Sequence, residues 1–107
     1  MQDVVLIYTT WPDAETADRA ARAAITGRHA ACANVMAPIA SVYRWEGRVE
    51  TASETPILFK TTSEAAEGLK ALLVEIHPYD TPCIVALPVT AAQSHPPFLA
   101  WICAETG

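Results

Sequence analysis

Two helical patterns, each held between extended apolar runs, constrain this chain more than any other feature. Val4-Val5-Leu6-Ile7-Tyr8-Thr9 is a short, continuous apolar run of the kind a covered strand shows. It stops at Trp11-Pro12-Asp13. Asp13 is a good N-cap, Glu15 and Asp18 complement a helix N-terminus, and Ala17, Ala20, Ala21, Ala24 and Ile25 recur at helical spacing until Gly27. An extended stretch follows from Ala30 to Trp45, with Pro38 marking a bend or an edge position. Trp45-Glu46-Gly47-Arg48 predicts a tight hairpin whose glycine supplies the positive φ, and the returning strand spans Arg48 to Thr61 with Ile57-Leu58-Phe59 buried. Thr61 and Glu64 stand at capping-box spacing before a second helix, whose stripe of Leu69, Leu72, Leu73 and Ile76 ends at His77-Pro78. Thr81 to Val89 reads as a fourth strand, and Ser94 to Ile102 as a short last helix started by Pro96-Pro97. The order β-α-β-β-α-β plus a terminal helix predicts an α+β, ferredoxin-like fold, because right-handed crossovers place both helices on one face of one antiparallel sheet.

A chain of 107 residues supports one core of this kind, so residues 1–107 are expected to form a single domain. Its composition is 51% hydrophobic and only 18% charged, although 20 of the apolar residues are alanine. So small a globule with so few charges leaves apolar area uncovered, and such area marks an association surface. The net charge of −5 and seven basic residues scattered from Arg19 to Lys70 argue against nucleic acid as a partner. No run approaches the ~20 apolar residues of a membrane-spanning helix, and Asp3 precedes the first apolar run where a signal peptide has a basic start. The expectation is a cytoplasmic protein with no membrane partner. Cys32, Cys83 and Cys103 are odd in number and widely spaced, so neither a disulfide framework nor a zinc knuckle is encoded.

His77-Pro78-Tyr79-Asp80-Thr81-Pro82-Cys83 is the densest cluster of chemical side chains. It offers imidazole, phenol, carboxylate and thiol between two stiffening prolines, a mixed set that suits copper or zinc. His77, Cys83 and Tyr79 are thus the candidate metal ligands, with Cu(II) or Zn(II) the candidate ions. A rigid helix-to-strand connection closed by a histidine at the helix C-terminus accounts for the same residues structurally. Cys32 and Cys103, among alanines and apolar residues, read as buried thiols. No Ser-His-Asp order, phosphate-binding glycine loop or H-E-x-x-H is present, and nothing in the sequence supplies a third group or an oxyanion hole for a Cys83–His77 pair. The chain does not read as an enzyme.

Tyr43-Arg44-Trp45-Glu46-Gly47-Arg48 concentrates aromatic and arginine side chains at the hairpin, the composition of interface hot spots. Cross-strand aromatic pairing is its simpler reading. Tyr43, Trp45 and Arg48 are the candidates for a contact between subunits, since a hairpin that overshoots its own core is a natural arm for a neighbour's sheet edge. Lys60, Trp45, Arg44 and Glu46 are the candidates for lining a cleft between subunits that takes a small anion or a protein partner, the alternative in which the chain is a trimeric signalling or scaffold module.

Ala30-Ala31-Cys32-Ala33-Asn34-Val35, Tyr43-Arg44-Trp45-Glu46-Gly47, Phe59-Lys60-Thr61-Thr62 and His77-Pro78-Tyr79-x-x-Pro82, in this order and spacing, resemble the CutA divalent-cation tolerance family. The likeness extends from Thr10-x-Pro12-Asp13 to Phe98-Leu99-x-Trp101. It implies a ferredoxin-like subunit, related in architecture to the PII signalling proteins, that forms a homotrimer through its sheets and hairpins. It also implies a link to tolerance of copper and other divalent ions, and copper binding. Cys83 stands where the family commonly has a glutamate, and a thiolate there favours Cu(I) or zinc over harder ions. Thr9 or Thr10 stands where some members place a cysteine.

Overall fold

The computed structural model describes residues 3–107. Its elements are β1 (Val4–Trp11), α1 (Ala14–Thr26), β2 (Cys32–Val35), β3 (Ile39–Trp45), β4 (Arg48–Thr62), α2 (Ser63–Ile76), β5 (Ile84–Pro88), a single 3₁₀ turn (Ala91–Gln93) and α3 (Pro96–Glu105). The sheet runs β2-β4-β1-β5 with every neighbouring pair antiparallel, and β3 pairs with the far end of β4. This is the expected ferredoxin-like order, with the second strand divided into β2 and β3. Met36-Ala37-Pro38 makes the division, opposite the point where β4 leaves β2 at Ile57 and takes up β3 at Glu54.

Alternation along β1 sorts its side chains. Val5, Ile7, Thr9 and Trp11 share the face that the helices cover, and Ile7 and Trp11 join Ala17, Ala20, Ala21 and Ala24 of α1, Leu69 and Leu73 of α2, and Ile57 and Phe59 of β4 in the main core. The alanine face of α1 lets its backbone approach the sheet closely. On the opposite face, α3 covers only one end, where Val4 packs with Leu99 and Ile102. The rest of that face, Leu6 and Tyr8 of β1 with Val85 and Leu87 of β5, is left open, and Val85 and Leu87 are exposed.

Local signals explain most boundaries. Asp13 Oδ1 accepts a hydrogen bond from the Thr16 N–H at 2.8 Å, capping α1 as expected. At the other end the left-handed residue is Arg28 (φ 58), not Gly27 (φ −81). A Cβ at Gly27 would lie 2.9 Å from His29 Cδ2, so a larger residue there would make the His29 ring shift. Arg28 is held in place by the C-terminus: Nε donates to the Gly107 carbonyl and Nη2 to the Ala104 carbonyl, both at 2.9 Å, while the Gly107 N–H donates to the Arg28 carbonyl. The cap of α2 also differs by one residue from the sequence reading. Thr62 Oγ1 accepts from the Ala65 N–H, whereas the buried Thr61 hydroxyl donates to the His29 carbonyl at 2.7 Å. β5 starts at Ile84 rather than Thr81, because Pro82 has no N–H to give a ladder.

Candidate functional site

The Glu46-Gly47 turn sets the geometry of the site. Both residues have positive φ (49 and 78), the two-residue turn whose twist matches that of the strands. It fixes the register Trp45↔Arg48, Tyr43↔Glu50, Ser41↔Ala52 and Ile39↔Glu54. Opposed residues share a face, so Ser41, Tyr43, Trp45 and Glu54 lie on one side of the hairpin, and Val42, Arg44 and Val49 on the other.

The first side faces a cavity of about 680 Å³. Tyr8 and Thr10 contribute from the open face of β1, Ser41, Tyr43, Trp45 and Glu54 from the hairpin, and Tyr79 to Cys83 from the α2–β5 loop. The cavity thus joins two motifs that residues 49–76 separate in the sequence. Its polar character is acidic. Glu54 and Asp80 line it, and no Lys, Arg or His among the described residues does.

His77 is what shapes the loop. Its ring is buried and stacks on Trp11 with centroids 4.2 Å apart. Thr10 stands opposite Pro56, which has no N–H to give, and one residue past the end of the β1–β5 ladder. Its carbonyl is met instead by His77 Nε2 at 2.8 Å. The Tyr79 N–H donates to His77 Nδ1 at 3.1 Å, which makes Nδ1 the acceptor and Nε2 the protonated nitrogen. Both nitrogens of the ring are therefore spent on backbone groups, and the neutral tautomer spans from β1 to the loop. A second buried network lies beside it. Trp11 Nε1 donates to Thr9 Oγ1 at 2.8 Å, and Thr9 Oγ1 donates to the Ile57 carbonyl at 3.1 Å.

The candidates named from sequence fall into distinct places. Cys83 and Tyr79 line the cavity and His77 lies behind its wall. Burial pushes the Tyr79 phenol above its ordinary value, and the charges of Glu54, Tyr43 and Asp13 push it in the same direction, so the phenol keeps its proton at neutral pH. Trp45 lines the cavity, but Arg44 lies on the reverse of the hairpin, Glu46 in the turn, and Lys60 at the opposite end of the open face. There Lys60 Nζ sits 5.4 Å from the centre of the Phe98 ring of α3. Within one chain these residues do not share a cleft, since strand alternation separates Arg44 from Trp45 and the length of β4 separates Lys60 from both; the cleft expected for them lies between subunits. Tyr43, Trp45 and Arg48 are all exposed on the arm. Cys32 and Cys103, expected to be buried, are only partly so. Glu54 was not singled out from the sequence, although counting along β4 from the Glu46-Gly47 turn puts it on the Tyr43 face; Asp80 was counted in the loop cluster but not named as a ligand.

No group of three or more His, Cys, Asp or Glu side chains that could hold a metal ion occurs among the described residues. The donors of one chain therefore do not form a complete metal site in this conformation. The Cys83 thiol and the Asp80 and Glu54 carboxylates are donors that line the cavity.

An antiparallel α+β chain with a half-open sheet, a projecting hairpin and a cleft between them is a protein of the ferredoxin-like class. The family described as CutA1 divalent ion tolerance protein matches residues 5–105, and the chain belongs to that family. It is 41% identical to the divalent-cation tolerance protein CutA of Thermus thermophilus over 107 residues, all of both chains. It is 37% identical to protein CutA of Mus musculus over 95 residues, 89% of this chain and 52% of the mouse protein, so it spans about half the length of that relative. Among solved structures, the Thermus thermophilus protein superposes with a TM-score of 0.92 at 38% identity, covering 97% of this chain and 99% of that one. CutA1 from Oryza sativa superposes with a TM-score of 0.94 at 32% identity, covering 99% and 95%. No helix among the described residues is long and apolar enough to cross a membrane.

Proposed function

We propose that this chain serves divalent-cation tolerance by binding rather than by catalysis, as a single-domain subunit of a homotrimer that takes a divalent or soft monovalent metal ion, copper or zinc, at its hairpin cleft. The observation that carries the reading is the convergence of Cys83 and Asp80 on a cavity lined by the hairpin, in a chain of a family named for divalent-ion tolerance. Cys83 is the ligand of choice, because a thiolate suits zinc and Cu(I). His77 joins the ion only if the loop releases the Tyr79 N–H or the Thr10 carbonyl, and Tyr79 only if its phenol gives up a proton. Water or donors from a neighbouring subunit fill the remaining positions.

The trimer reading is supported by the open sheet face and the arm. Val42 and Val49 are each 69% exposed, Trp45 is 54% exposed, and the edge strand β5 offers Val85 and Leu87. Such a surface is costly to leave in water, and an unpaired strand edge invites a partner.

Calorimetric titration of the metal-free protein with Zn(II), beside Cys83→Ser and His77→Ala, tests the proposal. Saturable binding weakened at least tenfold by Cys83→Ser supports it; binding indifferent to Cys83→Ser overturns the assignment. Light scattering gives the assembly, with three chains of 11.5 kDa expected and a single chain the contrary result.

A further inference from the structure

One charged side chain stands on an otherwise uncharged sheet face. Lys60 of β4 is in register with Leu6 of β1 on one side and Cys32 of β2 on the other, and Leu6 in turn stands opposite Leu87 of β5. Opposed residues share a face, so the four side chains form a row across the open face with Lys60 near its middle. Among the described residues, the ladders place no other charged side chain on that face between Pro56 and Thr62 of β4 or on the lengths of β1, β2 and β5 paired around it.

The ammonium has little to balance it. Lys60 is half-buried, and no carboxylate forms a salt bridge with it among the described residues. Its neighbour is the Phe98 ring of α3, with Nζ 5.4 Å from the ring centre, a modest partner for a cation. Glu54, the nearest acidic residue along β4, stands six residues back, about 20 Å at the rise of a strand. A single chain keeps such an ammonium partly in water. The homotrimer proposed above does not, because it closes over the apolar face that carries Lys60. β4 and β1 are the inner strands of the order β2-β4-β1-β5, so a threefold arrangement of these faces brings their side chains nearest the axis. Symmetry then repeats one chain's imbalance three times, with three ammoniums and no carboxylate from the sheet faces. Bringing like charges together out of water is costly unless an opposite charge joins them.

We propose that the assembly binds one inorganic oxyanion of phosphate or sulfate type where its three open faces meet, held by the Lys60 ammonium of every subunit. Each copy contributes one ligand, so a lone chain has no such site. Lysine suits the task, since its compact charge on a flexible four-carbon stem reaches an ion shared between subunits. The apolar row of Leu6 and Leu87 keeps water away and strengthens the attraction. The proposal rests on the homotrimer but not on the metal, because Lys60 lies at the opposite end of the open face from Cys83 and Asp80.

The test uses the intact, metal-free protein in a zwitterionic buffer. Light scattering counts the chains, and calorimetry then titrates sodium phosphate, with sodium chloride at matched ionic strength as the reference. Saturable phosphate binding at one ion per three chains is expected. Lys60→Met, which keeps an apolar stem and removes the charge, should weaken it at least tenfold, whereas Lys60→Arg, which keeps the charge, should retain it and so separates loss of charge from a failure to fold. Urea unfolding at one fixed protein concentration gives a second readout. Phosphate strengthens apolar burial in any protein, so the comparison is between variants: the midpoint of wild type should rise further than that of Lys60→Met. A trimer that binds no phosphate, a stoichiometry of one ion per chain, binding unchanged in Lys60→Met, or equal midpoint shifts would each overturn the proposal while the trimer stands. The mass of a single chain would overturn the trimer and this proposal with it.

Discussion

Replacing His77 by alanine separates a structural histidine from a metal ligand. The ring is 7% exposed, Nε2 lies 2.8 Å from the Thr10 carbonyl, Nδ1 accepts from the Tyr79 N–H at 3.1 Å, and the ring stacks on Trp11 at 4.2 Å. A net hydrogen bond contributes about 1 kcal/mol, and an aromatic pair about 0.5–1.5 kcal/mol beyond its buried area. The Thr10 carbonyl, in a buried residue opposite Pro56, has no ladder N–H to turn to, so truncation leaves it to find water or go unpaired. His77→Ala is therefore expected to destabilise the metal-free protein by about 3 kcal/mol, near the upper end of ordinary point substitutions. Urea unfolding at one fixed protein concentration measures it, the concentration being held because any assembly adds to apparent stability. A histidine kept for metal alone costs nothing when replaced in the absence of metal. Unchanged metal-free stability, together with lost zinc affinity, would refute the reasoning.

Leu69→Ala removes a fully buried side chain between α2 and the sheet and should cost about 2–5 kcal/mol by the same unfolding assay. Arg28→Ala removes two donors from the Gly107 and Ala104 carbonyls, and hydrogen exchange should then show faster exchange of the last-turn amides of α3 with little change in the sheet. Because burial favours the neutral phenol of Tyr79 in the folded state, its contribution to stability is complete below the ordinary phenol value of about 10 and is lost as pH rises through the higher folded value. Ultraviolet difference titration of wild type against Tyr79→Phe should find this residue ionising above pH ~10. Val85→Asp with Leu87→Asp, on the open face of the edge strand, should reduce the scattering mass to that of one chain while leaving the circular dichroism of the fold.

The parts of this molecule legible from sequence are those fixed by neighbours in the chain. Asp13 caps a helix with its own side chain, and Glu46-Gly47 makes a turn whose conformation requires residues of that kind, so α1 and the hairpin register follow from a few positions. Thr61 and Thr62 show the limit. Both can cap α2, and the choice falls to Thr62 because the His29 carbonyl, thirty-two residues away, takes the Thr61 hydroxyl. The site has the same division. The residue types of the His77-to-Cys83 loop point to chemistry, but which of them face a ligand depends on Thr10 and Trp11 of β1, which hold the histidine from behind. Glu54 was within reach of arithmetic from the turn. Its meeting with Asp80 across a cavity was not, since that depends on how β4 passes from the sheet to the arm at Thr55-Pro56.

On the proposed function, metal is held through the Cys83 thiolate at the hairpin cleft and not through the His77 ring. X-ray absorption spectroscopy of the zinc-loaded protein reads the ligand set directly. A sulfur scatterer at about 2.3 Å that disappears in Cys83→Ser is expected, with oxygen completing the shell. A shell of nitrogen and oxygen alone, carrying the outer-shell scattering of an imidazole and lost in His77→Ala, would contradict it.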